Sequence, residues 1–472
     1  MAFVGLILWV RFFRLTNCWL AVPLLTLCNL LVWEWAYAGM VPLPTFARIG
    51  MFTAISFVFA ILFLADRWIN LRTKSIWATM ILPCGWVTFD QLSALFSPGG
   101  TWASIAYTFA NDPTLSQLAS IGGWTCITFF VVWIAAATNW VWDRWTVNRE
   151  LNRLGVSVIA VVSIFVIAFG TYRLGTGKGG RPVRIACVVA PNTFNDEYLN
   201  EVYAYTRGIK VEEESTNRAM ERIAQSKEEH FAMVENALPF DPDFIVWPEA
   251  NAIMTIAEEE SWIERAKKVA IKNRVHVGMG MSIFRPGTGQ GTLNKFVLVD
   301  PDGNLAMDTL KATRVPGSLN VTSDGLLPVV ESKVGRLSAA ICFDMDFPHI
   351  IAQAGTAKVD LFFAPSNDWL EVRDIHAQMA KTRSIEQGFA LVRPTKDGTT
   401  IITDSTGRTI ASMIAADNET GIIAIDVEVN HRTTLYSIIG DSFGYANALL
   451  FLVLVVFTSV NRENNRKVSQ NS

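Results

Sequence analysis

Six long runs of apolar residues constrain this chain most, because each approaches or exceeds the length that crosses a lipid bilayer. The runs extend over Asn17 to Ala38, Ala47 to Ala65, Ile76 to Phe96, Ile121 to Trp142, Val156 to Tyr172 and Tyr445 to Val460. A bilayer core about 30 Å thick requires roughly 20 such residues in a helix. Thirteen of the 16 Trp residues precede residue 150, whereas charged residues concentrate between about 181 and 432. The sequence therefore predicts a membrane region followed by a water-soluble domain.

The predicted boundaries follow this change in composition. Residues 1–175 form an N-terminal transmembrane region of about five or six spans, and residues 182–430 form the soluble domain. Residues 444–461 form one C-terminal transmembrane helix, and residues 462–472 form a tail. The apolar stretch Met1 to Val10 is too short to span alone, and it is interpreted either as an interfacial helix or as part of an extra span.

Basic residues predict how the chain is oriented in the membrane. Arginine and lysine residues follow the second, fourth and last apolar runs, whereas the connection from Ser97 to Ala119 contains neither. Cytoplasmic loops carry an excess of Lys and Arg. The tail and the two basic loops are therefore predicted to be cytoplasmic, and the soluble domain is predicted to lie on the extracytoplasmic side.

The soluble region alternates predicted strands and helices. The stretches Val183 to Val189, Phe244 to Trp247 and Gly421 to Val427 have the apolar composition of buried strands. Between them, the stretches Thr216 to Ala237 and Ile375 to Gln387 have the pattern of amphipathic helices. This alternation predicts an α/β domain with mixed sheets.

One stretch of the soluble domain ends a predicted strand with a cysteine. The run from Leu337 to Ile341 is apolar, and Cys342 follows it, with Asp344, Asp346 and Pro348 directly beyond. A thiol at the end of a strand is a nucleophile only if a base takes its proton and a cation stabilises the oxyanion that it generates. The chain must therefore supply both of these groups elsewhere.

Two other strand ends carry suitable side chains. Glu249 follows Trp247 and Pro248 at the end of one strand, where burial would suit a general base. Lys311 ends the second strand of a predicted hairpin and offers a cation for a tetrahedral oxyanion. Each residue alone is weak evidence, because most lone charged residues of this kind lie at the surface.

The remaining cysteines and the histidines give no sign of a metal site. The six Cys residues lack the close spacing of zinc or redox motifs, and Cys187 lies within a predicted buried strand. The five His residues also lack metal-ligand spacing. We therefore expect no disulfide framework, no metal and no cofactor.

Taken together, the three motifs resemble the nitrilase, or carbon-nitrogen hydrolase, superfamily. The order is Glu249 after Trp-Pro, Lys311 before Val-Pro-Gly, and Cys342 within Ile-Cys-Phe-Asp. The resemblance covers about residues 182 to 430 and implies an αββα sandwich. It also implies that Glu249 is the base, Lys311 the oxyanion cation and Cys342 the nucleophile, with the backbone N–H of Phe343 as a second oxyanion donor.

The membrane segments on both sides make the whole chain similar to apolipoprotein N-acyltransferases. That resemblance implies a multi-pass protein of the bacterial inner membrane whose catalytic domain is periplasmic, with a phospholipid acyl donor and a diacylglyceryl lipoprotein acceptor. Further matches are Asn367 and Trp369, which with Trp247 are candidate substrate-binding residues, and the helix that carries His376. For Arg383 and Glu386 on that helix, a structural ion pair is favoured over direct chemistry.

One departure from the family pattern bears on activity. Members usually carry a second Glu eight residues after the catalytic Lys, and this position is Leu319 here. Asp344 or Asp346 is a candidate replacement for that supporting carboxylate. Two alternatives to the acyltransferase remain open, which are a membrane-tethered amidase with water as the acceptor and a non-catalytic membrane scaffold.

Overall fold

The computed structural model describes residues 2–41, 43–73, 75–102, 104–149, 152–176, 179–191, 213–415 and 420–470. These residues belong to two compact units, one of Met1–Arg173 with Ile439–Ser472 and one of Leu174–Ile438. Residues 192–212 and 416–419 of the predicted soluble domain, and residues 471 and 472 of the predicted tail, lie outside the described ranges.

The described ranges contain helices in both units and strands in the second. The helices are α1 (Ala2–Leu15), α2 (Cys18–Ala36), α3 (Thr45–Arg72), α4 (Ile81–Phe96), α5 (Ala119–Gly122), α6 (Trp124–Asn148), α7 (Arg153–Gly175), α8 (Glu213–Ala237), α9 (Glu259–Asn273), α10 (Pro348–Thr356), α11 (Arg373–Gln387), α12 (Leu435–Ile439) and α13 (Ser442–Gln470). The strands are β1 (Arg181–Val189), β2 (Phe244–Val246), β3 (Ala252–Thr255), β4 (His276–Phe284), β5 (Leu293–Val299), β6 (Leu305–Leu310), β7 (Val329–Ser332), β8 (Gly335–Ala339), β9 (Leu361–Phe363), β10 (Ser366–Asn367), β11 (Ala390–Arg393), β12 (Thr395–Lys396), β13 (Gly398–Thr403), β14 (Thr409–Ala415) and β15 (Gly421–Val429).

Five helices of the described ranges are long and apolar enough to cross a membrane. They correspond to five of the six apolar runs and lie within Cys18–Ala36, Thr45–Arg72, Trp124–Val147, Arg153–Gly175 and Ser442–Ser459. The run from Ile76 to Phe96 differs, because its first five residues form a 3-10 helix and α4 contains only 16 residues. At 1.5 Å per residue, α4 is about 24 Å long, which is shorter than the bilayer core.

Some polar side chains inside the membrane unit pair with one another through ion pairs and hydrogen bonds. The guanidinium of Arg14 on α1 donates from Nε and Nη2 to both carboxylate oxygens of Asp66 on α3, at 2.8 and 3.0 Å. Asp90 on α4 accepts hydrogen bonds from the hydroxyls of Ser104 and Thr128, at 2.6 and 2.7 Å. Unpaired polar groups are costly in a lipid environment, so these contacts stabilise the helix packing.

The soluble unit is a sandwich of two sheets. The first sheet has the order β15-β1-β2-β4-β5-β6, with β3 paired to β4, and the second has the order β14-β13-β11-β9-β8-β7. Apolar residues of both sheets, including Ile185, Cys187, Leu361 and Phe363, pack together between them. Burying this apolar area is the main force that holds the two sheets together.

Helices cover the outer faces of both sheets. Side chains alternate between the faces of a strand, so Ala186 and Val188 of β1 point away from the second sheet. They pack in a core cluster with Phe231 of α8 and Trp262 of α9. Helix α11 contacts β11 and β13 of the second sheet. The layers are therefore helix, sheet, sheet and helix, which confirms the predicted αββα fold.

Candidate active site

The candidate nucleophile lies in a strained turn just beyond β8. Cys342 begins a short 3-10 helix, Cys342–Asp346, and has a φ angle of +52°. A non-glycine residue in this left-handed region is uncommon and often marks a functional position. The backbone N–H of Cys342 donates to the carbonyl of Pro365 at 3.0 Å, and Sγ lies 3.8 Å from the carbonyl oxygen of Asn367. These contacts fix the thiol in a buried position.

The candidate base is held by three donors. Oε1 of Glu249 accepts hydrogen bonds from Nζ of Lys311 at 2.6 Å and from Nδ2 of Asn294 at 2.7 Å. Oε2 accepts the backbone N–H of Asn367 at 2.9 Å. The carbonyl of the same Asn367 lies 3.8 Å from Sγ of Cys342, and the charge of Glu249 raises the pKa of that thiol. The three donors therefore hold the carboxylate in place before any substrate binds.

The candidate cation is buried beside these groups. Lys311 follows β6, and its backbone N–H donates to the carbonyl of Asn294 at 2.9 Å. Burial alone would lower the pKa of Lys311, but Cys342 in its ionised form and the carboxylates of Glu249 and Asp344 outweigh it and raise the pKa above its usual value. The ammonium group therefore stays protonated in the site.

The thiol of Cys342 is neutral in the resting site. Burial raises its pKa well above the usual value, and the nearby charge of Glu249 raises it further, whereas Lys311 acts in the opposite direction. Such a thiol becomes a nucleophile only when its proton leaves during the attack. Glu249 is near enough to raise the pKa of the thiol, and proton transfer to this carboxylate leaves the total charge of the buried site unchanged.

Two residues after the cysteine have different geometries. In the described part of the chain, the backbone N–H of Phe343 has no hydrogen-bond acceptor, so it is available to a substrate oxygen. The carboxylate of Asp344 accepts the backbone N–H groups of Ala312, Thr313 and Ile341 at 3.1, 2.7 and 3.0 Å. Asp344 thus ties the turn that carries Cys342 to the loop that follows Lys311. Burial raises its pKa to about 6, although Lys311 and these N–H groups oppose the shift.

A second group of charged side chains lies beside the thiol. Nδ1 of His376 on α11 is 2.7 Å from Oδ1 of Asp368, and Nε2 is 3.4 Å from Oδ1 of Asp346. Arg393 at the end of β11 donates from Nη2 to both oxygens of Asp368, at 3.0 and 2.9 Å. No role for Asp368 or Arg393 was predicted from the sequence, and His376 was anticipated only as part of a helix that matches the family pattern.

The candidate substrate-binding residues do not lie together. Asn367 is at the site, where its N–H binds Glu249 and its carbonyl approaches Cys342. Trp247 is fully buried in the core, where its ring centroid lies 5.5 Å from that of Phe231 and 6.1 Å from that of Trp262. The side chain of Trp247 therefore packs in the core rather than lining the site. Trp369 is half-buried, and its carbonyl accepts the N–H of Val372 at the start of α11.

Other residues of the family pattern occupy separate places. Leu319, which stands where a second Glu was expected, is 49% exposed on a loop. Of its candidate replacements, Asp344 holds the loop after Lys311, whereas Asp346 contacts His376. Arg383 and Glu386 are fully buried and form an ion pair at 2.8 Å.

Three groups of the site are also of types that bind zinc. Sγ of Cys342, a carboxylate oxygen of Asp368 and a ring nitrogen of His376 lie within 4.8 Å of one another. Zinc needs a thiolate and a neutral imidazole. Here both ring nitrogens of His376 face carboxylates, and Arg393 already binds both oxygens of Asp368. The charges of His376 and Arg393 thus balance those of Asp346 and Asp368, which fits an ion-pair network better than a metal site.

Comparison with known proteins agrees with this architecture. Residues 219–433 match the family model of carbon-nitrogen hydrolases, and residues 1–137 match that of the apolipoprotein N-acyltransferase N-terminal domain. The chain is 25% identical to an apolipoprotein N-acyltransferase of Geobacter metallireducens over 392 residues, which are 77% of this chain and 71% of the relative. It is 23% identical to the enzyme of that name from Rhizobium meliloti over 477 residues, 93% of this chain and 82% of the relative.

Solved structures similar to this chain cover its soluble part. One is a nitrilase-superfamily protein of Saccharomyces cerevisiae, at 15% identity and a TM-score of 0.42, over 55% of this chain and 93% of that chain. Another is an amidase from Nesterenkonia sp., at 14% identity and a TM-score of 0.40, over 55% and 93%.

The sandwich fold and the family match of the soluble unit define a carbon-nitrogen hydrolase domain. With the match of its N-terminal residues, most of the chain is similar to the membrane-embedded, apolipoprotein N-acyltransferase-like members of the nitrilase superfamily. The resemblance to the nitrilase superfamily that the three sequence motifs indicated is thereby confirmed.

Proposed function

We propose that this protein is an N-acyltransferase that moves a fatty acyl group from a phospholipid to the N-terminal amine of a diacylglyceryl lipoprotein through a thioester on Cys342. The observation that carries the proposal is that Glu249 binds both Lys311 and the backbone N–H of Asn367, whose carbonyl approaches the thiol of Cys342. This site belongs to a chain whose N-terminal residues match a membrane domain of apolipoprotein N-acyltransferases. Glu249, Lys311 and Cys342 are the catalytic residues of this proposal.

In the first half-reaction, the sulfur of Cys342 attacks the ester carbonyl of the phospholipid. A carbon–sulfur bond forms while the thiol proton moves to Glu249, and the carbonyl oxygen becomes an oxyanion. The ammonium of Lys311 and the N–H of Phe343 stabilise that oxyanion. The carbon–oxygen bond of the ester then breaks, and the proton on Glu249 moves to the departing alkoxide, which leaves as the alcohol of a lysophospholipid.

In the second half-reaction, the amine of the lipoprotein attacks the thioester. A carbon–nitrogen bond forms, Glu249 accepts a proton from the nitrogen, and the carbon–sulfur bond breaks. The proton then moves from Glu249 to the sulfur, which restores the thiol. The same carboxylate thus serves in both halves, as general base for each attack and as general acid for each departure.

The proposal also assigns a location. The protein would span the bacterial inner membrane several times, with the soluble unit on the periplasmic side. The support is the excess of Arg and Lys after three of the apolar runs and its absence between Ser97 and Ala119. Cysteine-accessibility labelling in intact cells, with residues introduced into the loops, tests this orientation.

The donor half-reaction is tested by mass spectrometry of the detergent-solubilised protein after incubation with phospholipid. We expect a fatty-acyl adduct on the peptide that contains Cys342, and no adduct in Cys342→Ala. A matched control is Cys187→Ala, because Cys187 is a fully buried core thiol of the same domain. Labelling of Cys342 by small amides but not by phospholipid would favour an amidase. No labelling by either class would favour a non-catalytic scaffold.

A further inference from the structure

The buried histidine beside the thiol has a geometry that favours a positive charge. Nδ1 of His376 faces the carboxylate of Asp368 at 2.7 Å, and Nε2 faces that of Asp346 at 3.4 Å. Carboxylates accept hydrogen bonds, so a proton on each ring nitrogen favours both contacts, while Nη2 of Arg393 lies 3.1 Å from Nδ1. An imidazole with protons on both nitrogens is a cation.

The charge balance of the surrounding site gives that cation a function. The buried ionisable groups are three bases and four carboxylates, namely Lys311, His376, Arg393, Glu249, Asp344, Asp346 and Asp368. With His376 charged and the carboxylates ionised, they carry a net charge of −1, and a neutral His376 would leave −2. Buried charges without compensation are strongly unfavourable. The thiolate of Cys342 adds negative charge in this same place.

We propose that His376 is a charge-stabilising residue of the site, whose imidazolium offsets Asp346 and Asp368 so that the Cys342 thiolate can form and can leave. A ring nitrogen of His376 lies within 4.8 Å of Sγ. The thiolate arises when Glu249 takes the proton, and it arises again when the carbon–sulfur bond of the thioester breaks. No proton moves to or from His376 in this role. The inference deepens the function proposed above, and only its second step, in which the thiolate leaves the thioester, rests on that function.

The pKa values agree with this geometry. Burial would lower the pKa of His376, but Asp346 and Asp368 together raise it to about 9. The groups that face it from the packed elements are Asp346 on the turn after β8, Asp368 after β10, Arg393 on β11 and the thiol itself. At neutral pH the imidazole is therefore charged, and it loses this charge as the pH rises through about 9.

The test is the pH dependence of Cys342 alkylation by iodoacetamide in the full-length protein in detergent. In His376→Gln we expect alkylation at pH 7 to slow by roughly 10- to 100-fold, since a unit charge less than 5 Å away is removed. The difference from wild type should shrink as the pH rises above about 9, where the wild-type imidazole is also neutral. A purely structural effect would not disappear in this range.

A second variant changes the pH at which His376 loses its charge. In Asp346→Asn, one of the two carboxylates that raise the pKa of His376 is removed, so that pKa should fall below about 9 and the inflection of the alkylation profile should move to lower pH. The matched control is His230→Gln. His230 is also fully buried, but burial lowers its pKa to about 4, so it is neutral and its replacement should leave the alkylation profile unshifted.

Two results would overturn the proposal. One is an alkylation profile in His376→Gln that coincides with that of wild type, and the other is an inflection in Asp346→Asn at the same pH as in wild type. If His376→Gln does not fold, Asp346→Asn alone decides. Because iodoacetamide requires no lipid, both expected changes in a protein that transfers no acyl group would support the role of His376 and contradict only the acyltransferase function.

Discussion

Replacement of Glu249 by Gln should change the reactivity of the Cys342 thiol and the rate of acyl transfer in opposite directions. The carboxylate of Glu249 is one of the groups that raise the pKa of the Cys342 thiol, whereas Lys311 lowers it. In Glu249→Gln this negative charge is removed while the opposing charge of Lys311 remains, so the pKa of the thiol falls. We therefore expect alkylation of Cys342 by iodoacetamide at pH 7 to persist or to become faster.

Acyl transfer by the same variant should respond in the opposite way. Gln cannot take the thiol proton and return it to the departing alkoxide, so both half-reactions lose their acid and base. General acid–base catalysis contributes roughly 10²- to 10⁴-fold to the rate. At about 1.4 kcal/mol for each factor of ten, the barrier rises by about 3–5 kcal/mol.

The assay measures both rates on one preparation, with a fluorescent phospholipid as donor for acyl transfer. Glu331→Gln is the matched control, because that side chain is exposed on β7 and pairs only with Arg336 at the surface. Equal losses of alkylation and acyl transfer in Glu249→Gln would refute the reasoning, since the carboxylate would then be needed for the integrity of the site. A loss of acyl transfer smaller than tenfold would show that another group carries the proton.

Three further substitutions test other contacts of the site. Lys311→Met leaves the buried carboxylate of Glu249 without its cation, so we expect about 3–5 kcal/mol of destabilisation, measured by thermal unfolding in detergent; an unchanged unfolding temperature would contradict the buried ion pair. Asp344 has a pKa of about 6, so it loses its negative charge as the pH falls through that value, and acyl transfer should fall with it. Asp344→Asn should be slower at every pH and should lack this inflection, and a retained inflection would assign it to another group. Trp247→Ala should cost about 3–5 kcal/mol as a core truncation with no selective increase in KM, whereas a large KM effect at unchanged stability would restore a substrate-binding role.

The proximity of three site residues could be anticipated because each lies within three residues of the end of a strand. Glu249, Lys311 and Cys342 come after β2, β6 and β8, and the turn beyond each strand is marked by Pro or by acidic residues. Local composition therefore locates the ends of the strands, and the sandwich brings these ends together. The distances, such as 2.6 Å between Lys311 and Glu249, depend on how the sheets pack and required the structure.

Strand geometry explains why Trp247, a predicted substrate-binding residue, is buried in the core. Phe244 and Val246 of β2 lie in the core between the sheets, whereas Ile245 belongs to the cluster under α8 and α9. Alternation of side chains puts Trp247 on the same face as Ile245. Pro248 then interrupts the strand, and Glu249 turns into the site. Two residues apart in sequence, the indole and the carboxylate thus enter different environments.

The network of His376, Asp368 and Arg393 depends on contacts that no local pattern encodes. His376 lies on a helix, Asp368 follows a short strand, and Arg393 ends another strand 25 residues beyond Asp368. A usable signal was nevertheless present, because Arg393 directly follows the apolar residues Ala390 to Val392. An arginine in a buried strand requires a carboxylate partner, since charged side chains are almost never fully buried unless they are paired. For the strand that ends at Arg393, this rule predicts a buried carboxylate partner. Only the structure shows that this partner is Asp368, which also contacts His376 beside the nucleophile.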